Sequence, residues 1–412
     1  MKFAQVQGPV RLRSRILFMA FSLGVFGGAH GRFPVIGYHA DWNGGLADIQ
    51  YSKLTHINYS FASTGADGGI GSIDDGHLRE LVQRGHQDGT KVGVAVGGYG
   101  AEASFIAMCG TQSGREAFVK SADALCAKYG LDGIDIDWEY PDAARADDFA
   151  SLMKSLGAAL HKNGRYLSVA VKSRDQYMQD PNVGVNFQAS LFTSVDFVNL
   201  MAYDGEGQNH SSYEMAVAEL HYWITTRGCP KGKAILGVPF YGKARAPDGK
   251  ETTTEYKILI AADRSAAQRD NSGNIYYNGI PTIGKKTQLA NDSGGGIMIW
   301  EVGQDTHDET SLLSAIAKTA GAFPAVSIRA IRPQGIGGAG ALAFRKESDA
   351  RIISVTGRES TQRPRALPGF SSGFTEAEYP ITPQFLFQGL ILEVGSIRVS
   401  QLFGARQTQL LQ

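Results

Sequence analysis

The segment Leu131–Pro141, Leu-Asp-Gly-Ile-Asp-Ile-Asp-Trp-Glu-Tyr-Pro, sets Asp132, Asp135, Asp137 and Glu139 inside an otherwise apolar run. Side chains of a strand alternate faces, so Asp135, Asp137 and Glu139 share one face while Ile134, Ile136 and Trp138 share the other. Successive acids on that face stand roughly 6–7 Å apart at the strand rise, and would repel one another if all were ionised and dry. Two readings are open. One is an exposed polar strand face with a hydrophobic back; the other is a relay of carboxylates ending in a general acid.

Such a strand needs a frame. From Phe33 onward, short apolar strands alternate with amphipathic helical stretches, the pattern of a parallel α/β fold closed as a (β/α)8 barrel. Strands are expected at Pro34–Tyr38, His56–Phe61, Lys91–Val96, Gly133–Trp138, Tyr166–Val171, Phe197–Tyr203, Ala234–Pro239 and Gly296–Trp300. Helices are expected at Asp75–Asp88, Gly114–Tyr129, Ala146–Asn163, Ser212–Arg227 and Glu309–Thr319. Gly130 follows the second of these where a C-terminal cap belongs.

Barrels of this kind gather their sites at the C-terminal ends of the strands. Here those ends carry Tyr38 to Trp42, Tyr59 to Phe61, Gly97-Gly98-Tyr99, Met201 to Asp204, and Trp300-Glu301. Flat apolar rings beside carboxylates suit a sugar site: rings for pyranose faces, acids for hydroxyls and a glycosidic oxygen. Trp300 is read as a sugar platform, and Trp42, Trp138 and Trp223 as packing.

The pattern Asp132-x-x-Asp135-x-Asp137-x-Glu139 followed by Tyr140-Pro141 resembles the signature of family 18 glycoside hydrolases, the chitinases. The resemblance extends from about Phe33 to Ala322. It implies a TIM barrel in which Glu139 is general acid and then base. Asp137 orients and charge-stabilises the substrate's acetamide, Tyr203 hydrogen-bonds it from the opposite side, and Asp135 shares a proton with Asp137. Tyr38, Phe61, Gly97, Gly98, Tyr140, Met201, Asp204 and Trp300 fall where the family binds substrate. One departure stands out: the third strand of the family usually reads Ser-x-Gly-Gly, and this chain has Ala95-Val96-Gly97-Gly98. That serine supports the inner aspartates, so its replacement touches their coupled protonation and removes no reacting group.

Between the seventh and eighth strands the family often inserts a small α+β module. About 245–289 is available here, with Thr254–Ala262 as a helix and a turn at Tyr276-Tyr277-Asn278-Gly279, which implies a shortened wall and a shallower, more open groove. Residues 1–29 read as an export signal, because Arg11, Arg13 and Arg15 precede an apolar run from Ile16 to Phe26 and the small residues Gly27-Gly28-Ala29. Residues 33–323 are the expected catalytic domain. Residues 324–412 read as a C-terminal extension, disordered or an accessory β domain.

Lysine plus arginine equals aspartate plus glutamate at 40 each, so no global charge points to nucleic acid or membrane. The 3 cysteines, Cys109, Cys126 and Cys229, imply no disulfide framework and at most one bridge. No metal-ligand spacing is present, and neither a metal nor a cofactor is expected. Gly369-Phe370-Ser371-Ser372-Gly373 matches a serine-hydrolase elbow but lacks the strand and helix such an elbow needs. Of three glycan-acceptor matches, Asn58-Tyr59-Ser60 lies inside a strand, and those at Asn209 and Asn291 are of low specificity. The reading is a secreted, monomeric chitinase acting on β-1,4-linked N-acetylglucosamine polymers by a retaining, substrate-assisted mechanism. The alternatives are an endo-β-N-acetylglucosaminidase acting on N-glycans or cell-wall glycans, and a chitin-binding lectin; such lectins have usually lost the glutamate, and Glu139 is intact.

Overall fold

A computed structural model describes residues 32–71, 73–173, 184–246 and 248–321, together with strand residues 341–346, 349–356, 390–391 and 400–401. The export signal and the Gly369 motif lie outside the described residues.

Eight parallel strands close into a barrel: β1 (Val35–Ala40), β2 (His56–Ala62), β3 (Lys91–Gly97), β4 (Gly133–Asp137), β5 (Tyr166–Val171), β6 (Phe197–Leu200), β7 (Ala234–Pro239) and a last strand, Gly296–Trp300, which pairs with both β7 and β1. Around it lie α1 (Asp75–Gln87), α2 (Glu102–Cys109), α3 (Gln112–Tyr129), α4 (Ala146–Lys162), α5 (Tyr213–His221), α6 (Tyr256–Ala262), α7 (Ile280–Ser293) and α8 (Leu312–Thr319). Side-chain caps start several of these helices. Asp74, Thr111, Ser212 and Ser311 accept from the backbone N–H groups of His77, Gly114, Met215 and Ser314, satisfying donors that a helix start leaves free. Gly130 ends α3 in the left-handed conformation, φ 71°, which a glycine adopts without a Cβ penalty. The helix expected through Arg227 stops at His221 and continues as one π-helical turn, Tyr222–Thr226.

Between β7 and the final strand, β8 (Tyr241–Arg245), β9 (Glu251–Glu255), β10 (Asn271–Ser272) and β11 (Ile275–Tyr276) form a four-stranded sheet in the order β10-β11-β8-β9, with α6 beside it. The closing barrel strand Gly296–Trp300 is therefore β12. The helix expected at Thr254–Ala262 begins at Tyr256, because Thr252–Glu255 pair with β8. Within Val326–Gln412, a unit separate from Met1–Ala325, the described residues form two antiparallel pairs, Ala341–Lys346 with Asp349–Thr356 and Leu390–Ile391 with Ser400–Gln401. No helix among the described residues is long and apolar enough to cross a membrane.

The strand period of two divides the core. Ile134, Ile136 and Trp138 face the helices, where Trp138 stacks on Phe105 (centroids 5.2 Å) and meets the edge of Phe149 (5.3 Å). The opposite face points into the barrel, lined by Ile36, Tyr38, Ala95, Ala170, Met201, Tyr203, Ile235 and Met298. Asp132 belongs to neither face. At the start of β4 it accepts from Val92 N and from His86 Nε2, both at 2.7 Å, and so fastens β4 to β3 and α1. Asp196 does the same before β6, accepting from Leu167 N and pairing with His161.

Candidate active site

β4 delivers three acids up the barrel axis. Asp135 is fully buried at the bottom, Asp137 is buried above it, and Glu139 stands half-buried beyond the strand's end. This excludes the exposed polar face weighed above. Asp135 is surrounded by donors: Tyr38 Oη at 2.7 Å on one oxygen, Ser168 Oγ at 2.6 Å and Asn199 Nδ2 at 3.1 Å on the other. Asn199 Nδ2 also reaches Tyr38 Oη at 2.9 Å, which fixes the tyrosine. Burial raises the Asp135 carboxyl to about 6, against the pull of those three hydrogen bonds. In register, Asp135 lies between Ala95 on β3 and Ser168 on β5. The hydroxyl missing at Ala95 is matched by one arriving from the other flanking strand.

Asp137 has no such company. Its Oδ1 is buried without a hydrogen-bond partner among the described residues. Burial, then the charges of Glu139 and Asp135, push its carboxyl well above the ordinary range. Its backbone oxygen accepts from Gly98 N at 2.8 Å. Gly97, at φ +121°, leaves no room for a side chain there: a Cβ would lie 2.1 Å from that same oxygen. Glu139 is also raised, by burial and by the negative charge of Asp204, with the Tyr140 hydroxyl pulling the other way. Two neighbouring acids that both resist ionisation titrate as a pair.

Asp204 differs in kind. Burial alone would raise it, but His210 (3.4 Å), Lys243 (2.8 Å) and Tyr241 Oη (2.6 Å) outweigh burial and hold it at about 2. Before it, Ala202 N and Tyr203 N turn back onto Leu200 O (2.8 Å) and Met201 O (2.7 Å), so β6 ends at Leu200, short of the expected Tyr203, and Asp204 follows at φ 60°. Tyr203 lies buried beside these acids with its hydroxyl 3.8 Å from Met298 Sδ; burial and the charges of Asp137 and Asp204 keep it protonated.

A cleft of about 650 Å³ opens above the barrel. Of the residues singled out in the sequence, Tyr38, Phe61, Gly97, Gly98, Asp137, Glu139, Tyr140, Met201, Tyr203, Asp204 and Trp300 line it, and Asp135 lies beneath. Phe61 and Trp300 stack at 5.5 Å, and Tyr38 meets Trp300 edge-on at 5.9 Å, forming an aromatic floor. Three peptide bonds at this mouth are cis: Ser60–Phe61, Glu139–Tyr140 and Trp300–Glu301.

Trp42 corrects the packing expectation. It is 68% exposed, lines the cleft, and lies 6.3 Å from Phe61 and 6.4 Å from Trp300. It lies two residues past the end of β1, so the strand-end rule that selected Trp300 also applied to it. Trp138 and Trp223 are buried as expected. The cleft also takes in Tyr99, 96% exposed, and Lys172, whose ammonium lies over the Tyr140 ring at 5.2 Å. None of the described lining residues comes from the β8–β11 sheet. That sheet acts from behind, through Tyr241 and Lys243 on Asp204.

Among the described residues no cluster of metal ligands occurs, and all three cysteines are buried and free. The sequence profile of Glycosyl hydrolases family 18 matches residues 34–305. The chain belongs to glycoside hydrolase family 18. Among relatives of this hydrolase is Chitinase 1 of Aphanocladium album, 26% identical over 342 residues, covering 65% of this chain and 79% of that one. Among solved structures, a family 18 chitinase from the chitin utilization locus of Flavobacterium johnsoniae has a TM-score of 0.61 at 29% identity, covering 70% of this chain and 94% of that one. A chitinase of Bacteroides thetaiotaomicron has the same TM-score at 28% identity, covering 70% and 97%.

Proposed function

We propose that this family 18 hydrolase is a secreted chitinase that cleaves β-1,4-linked N-acetylglucosamine polymers with retention of configuration, the substrate's acetamide serving as nucleophile. The observation that carries this is the buried, unpartnered Oδ1 of Asp137, two residues before the raised acid Glu139. A buried carboxylate oxygen without a donor is costly unless a ligand supplies one, and an acetamide N–H is such a donor. The other lining aspartate, Asp204, is already engaged by Lys243 and Tyr241, which argues against its attacking a sugar carbon.

In the first half-reaction the acetamide oxygen bonds to the anomeric carbon. The glycosidic bond breaks as Glu139 gives its proton to the leaving oxygen. Asp137, with Asp135 beneath it, stabilises the cyclic cation, and Tyr203 holds the acetamide from the other side. Water then attacks the anomeric carbon, Glu139 takes its proton, and the acetamide is released. Trp300 carries the sugar face, and Tyr38, Phe61, Gly97, Gly98, Tyr140, Met201 and Asp204 shape the rest of the site.

The test is to incubate the protein with chitin oligomers and with a high-mannose glycoprotein and size the products. Cleavage of the glycoprotein alone would replace this reading with that of an endo-β-N-acetylglucosaminidase. Binding of oligomers without cleavage would make the protein a lectin.

Asp204→Asn is expected to move the alkaline limb of the kcat/KM profile to lower pH. The charge on Asp204 raises Glu139, so removing it lets Glu139 lose its proton earlier. A limb that stays in place or moves to higher pH would show that another group sets it.

We also propose residues 1–29 as the export signal, 33–323 as the catalytic domain, with its insertion near 245–289, and 324–412 as an extension outside it. The division of the chain into units at Ala325 supports the second boundary. A chain ending at Pro324 is expected to fold and to cleave short oligomers at the parent rate. Aggregation, or a soluble but inactive product, would assign the extension a part in the barrel.

A further inference from the structure

Lys286, in the middle of α7, is wholly buried and lies outside the cleft. Its Nζ donates to Ser211 O at 2.8 Å, Ser211 Oγ at 2.8 Å and Asn278 Oδ1 at 2.7 Å. Three acceptors use all three N–H bonds of an ammonium, whereas a neutral amine would turn a lone pair on one of them. Burial opposes the charge and pushes Lys286 down to about 7, while Asp270 and Glu214 act in the opposite sense. Asp270 holds the start of α7 through Gly279 N and Thr282 Oγ1. A buried ammonium is a costly strut where packing alone would serve.

What it holds is the segment that carries Tyr203 and Asp204. Ser211 Oγ accepts from Lys286 and donates to Ala202 O at 2.8 Å, one residue before Tyr203. Asn278, at the end of the inserted module, donates to Ser211 O at 2.8 Å. Gly205 N donates to His210 O at 2.9 Å, closing the loop between these anchors. One end of the 202–211 segment, Ser211, therefore meets the buried cation directly, and the other, Ala202, is tied to it through the Ser211 hydroxyl.

We propose that Lys286 is a positioning residue for the hydrolytic reaction, setting Tyr203 through Ser211 and Ala202. This rests on the reading of Tyr203 given above. Misplacing a positioning group by a fraction of its contact distance costs rate more than binding, on the order of 10–100-fold. Lys286→Met keeps the stem and removes the donors. It is expected to lower kcat on chitin oligomers by about 10–100-fold with KM within about threefold. In a Tyr203→Phe background the same change is expected to cost less than about threefold, because the group it positions is already lost. Amide exchange of residues 202–211 is expected to rise at least about tenfold, with β1 to β3 unchanged.

An undiminished loss of kcat in the Tyr203→Phe background, or exchange in 202–211 equal to the parent's, would overturn the proposal. Should Lys286→Met fail to fold, Ser211→Ala cuts the link to Ala202 while leaving the lysine two acceptors. It must then show the same pattern at smaller amplitude, and its absence overturns the proposal equally. A parent protein inert on chitin oligomers would refute the reading of the cleft, whereas an active parent whose Lys286→Met variant keeps its kcat would overturn the role of Lys286 alone.

Discussion

Glu139→Gln is expected to lower kcat on chitin oligomers by about 10²–10⁴-fold while the barrel stays folded and substrate still binds. The amide is nearly isosteric with the acid but carries no transferable proton. Glu139 is suited to the acid's task because it stands at the cleft, half-buried, with burial and the charge of Asp204 both favouring its protonated form. The substitution also removes a like charge from Asp137, whose carboxyl Glu139 pushes upward. The variant should therefore be no less stable than the parent above neutral pH. The sign follows from linkage: a group whose folded pKa is raised loses stability as pH rises through the interval between its unfolded and folded values. Removing such a group removes that loss. Hydrolysis within about threefold of the parent rate, measured on the same oligomers, would show that the proton comes from elsewhere.

The strands of this barrel were legible because parallel strands buried on both faces read as short runs rich in valine and isoleucine between breakers. β5, β7 and β12 match their expected limits, β4 ends one residue early at Asp137, and β6 is cut short by the tight turns at Ala202 and Tyr203. Two helices escaped notice for opposite reasons. Glu102–Cys109 is apolar on nearly every side and shows no amphipathic period. Ile280–Ser293 opens with Gly279 and Pro281, which mark turns in a sequence but here serve as its N-cap and first turn. β9, Glu-Thr-Thr-Thr-Glu, has no buried face to announce it.

The site divides along a similar line. Residues at strand ends were found by position, and the error at Trp42 came from not applying that rule evenly. Ser168, Asn199 and Lys286 were invisible for a deeper reason. Each acts across the fold on a partner fixed by barrel register or by loop closure, and single-strand patterns carry neither. Asp132 shows the converse. It sits in the acidic run, yet its neighbours are Val92 N and His86, so it serves the frame at the base of β4.

The enzyme is expected to be nearly inert on a substrate whose reacting sugar lacks the N-acetyl group, even where that substrate binds. The cleft offers Glu139 as an acid, but the neighbouring carboxylates are unsuited to attack. Asp137 is buried and held toward its neutral form, Asp135 lies beneath it under three donors, and Asp204 is engaged by Lys243 and Tyr241. An attacking group supplied by the substrate resolves this. Holding the acetamide oxygen against the anomeric carbon makes the attack intramolecular, which can supply ~7–11 kcal/mol when the geometry is good. Positive charge on the acetamide develops only on the way to the transition state. Asp137→Ala should accordingly cost far more in kcat than in oligomer affinity. Two inversions in succession return the starting configuration, so the first product released should be the β anomer. Proton NMR taken immediately after cleavage, before mutarotation, reads that anomer directly. An initial α product would mean direct attack by water and would remove the acetamide from the reaction. Turnover of the deacetylated substrate at a rate near that of the acetylated one would do the same.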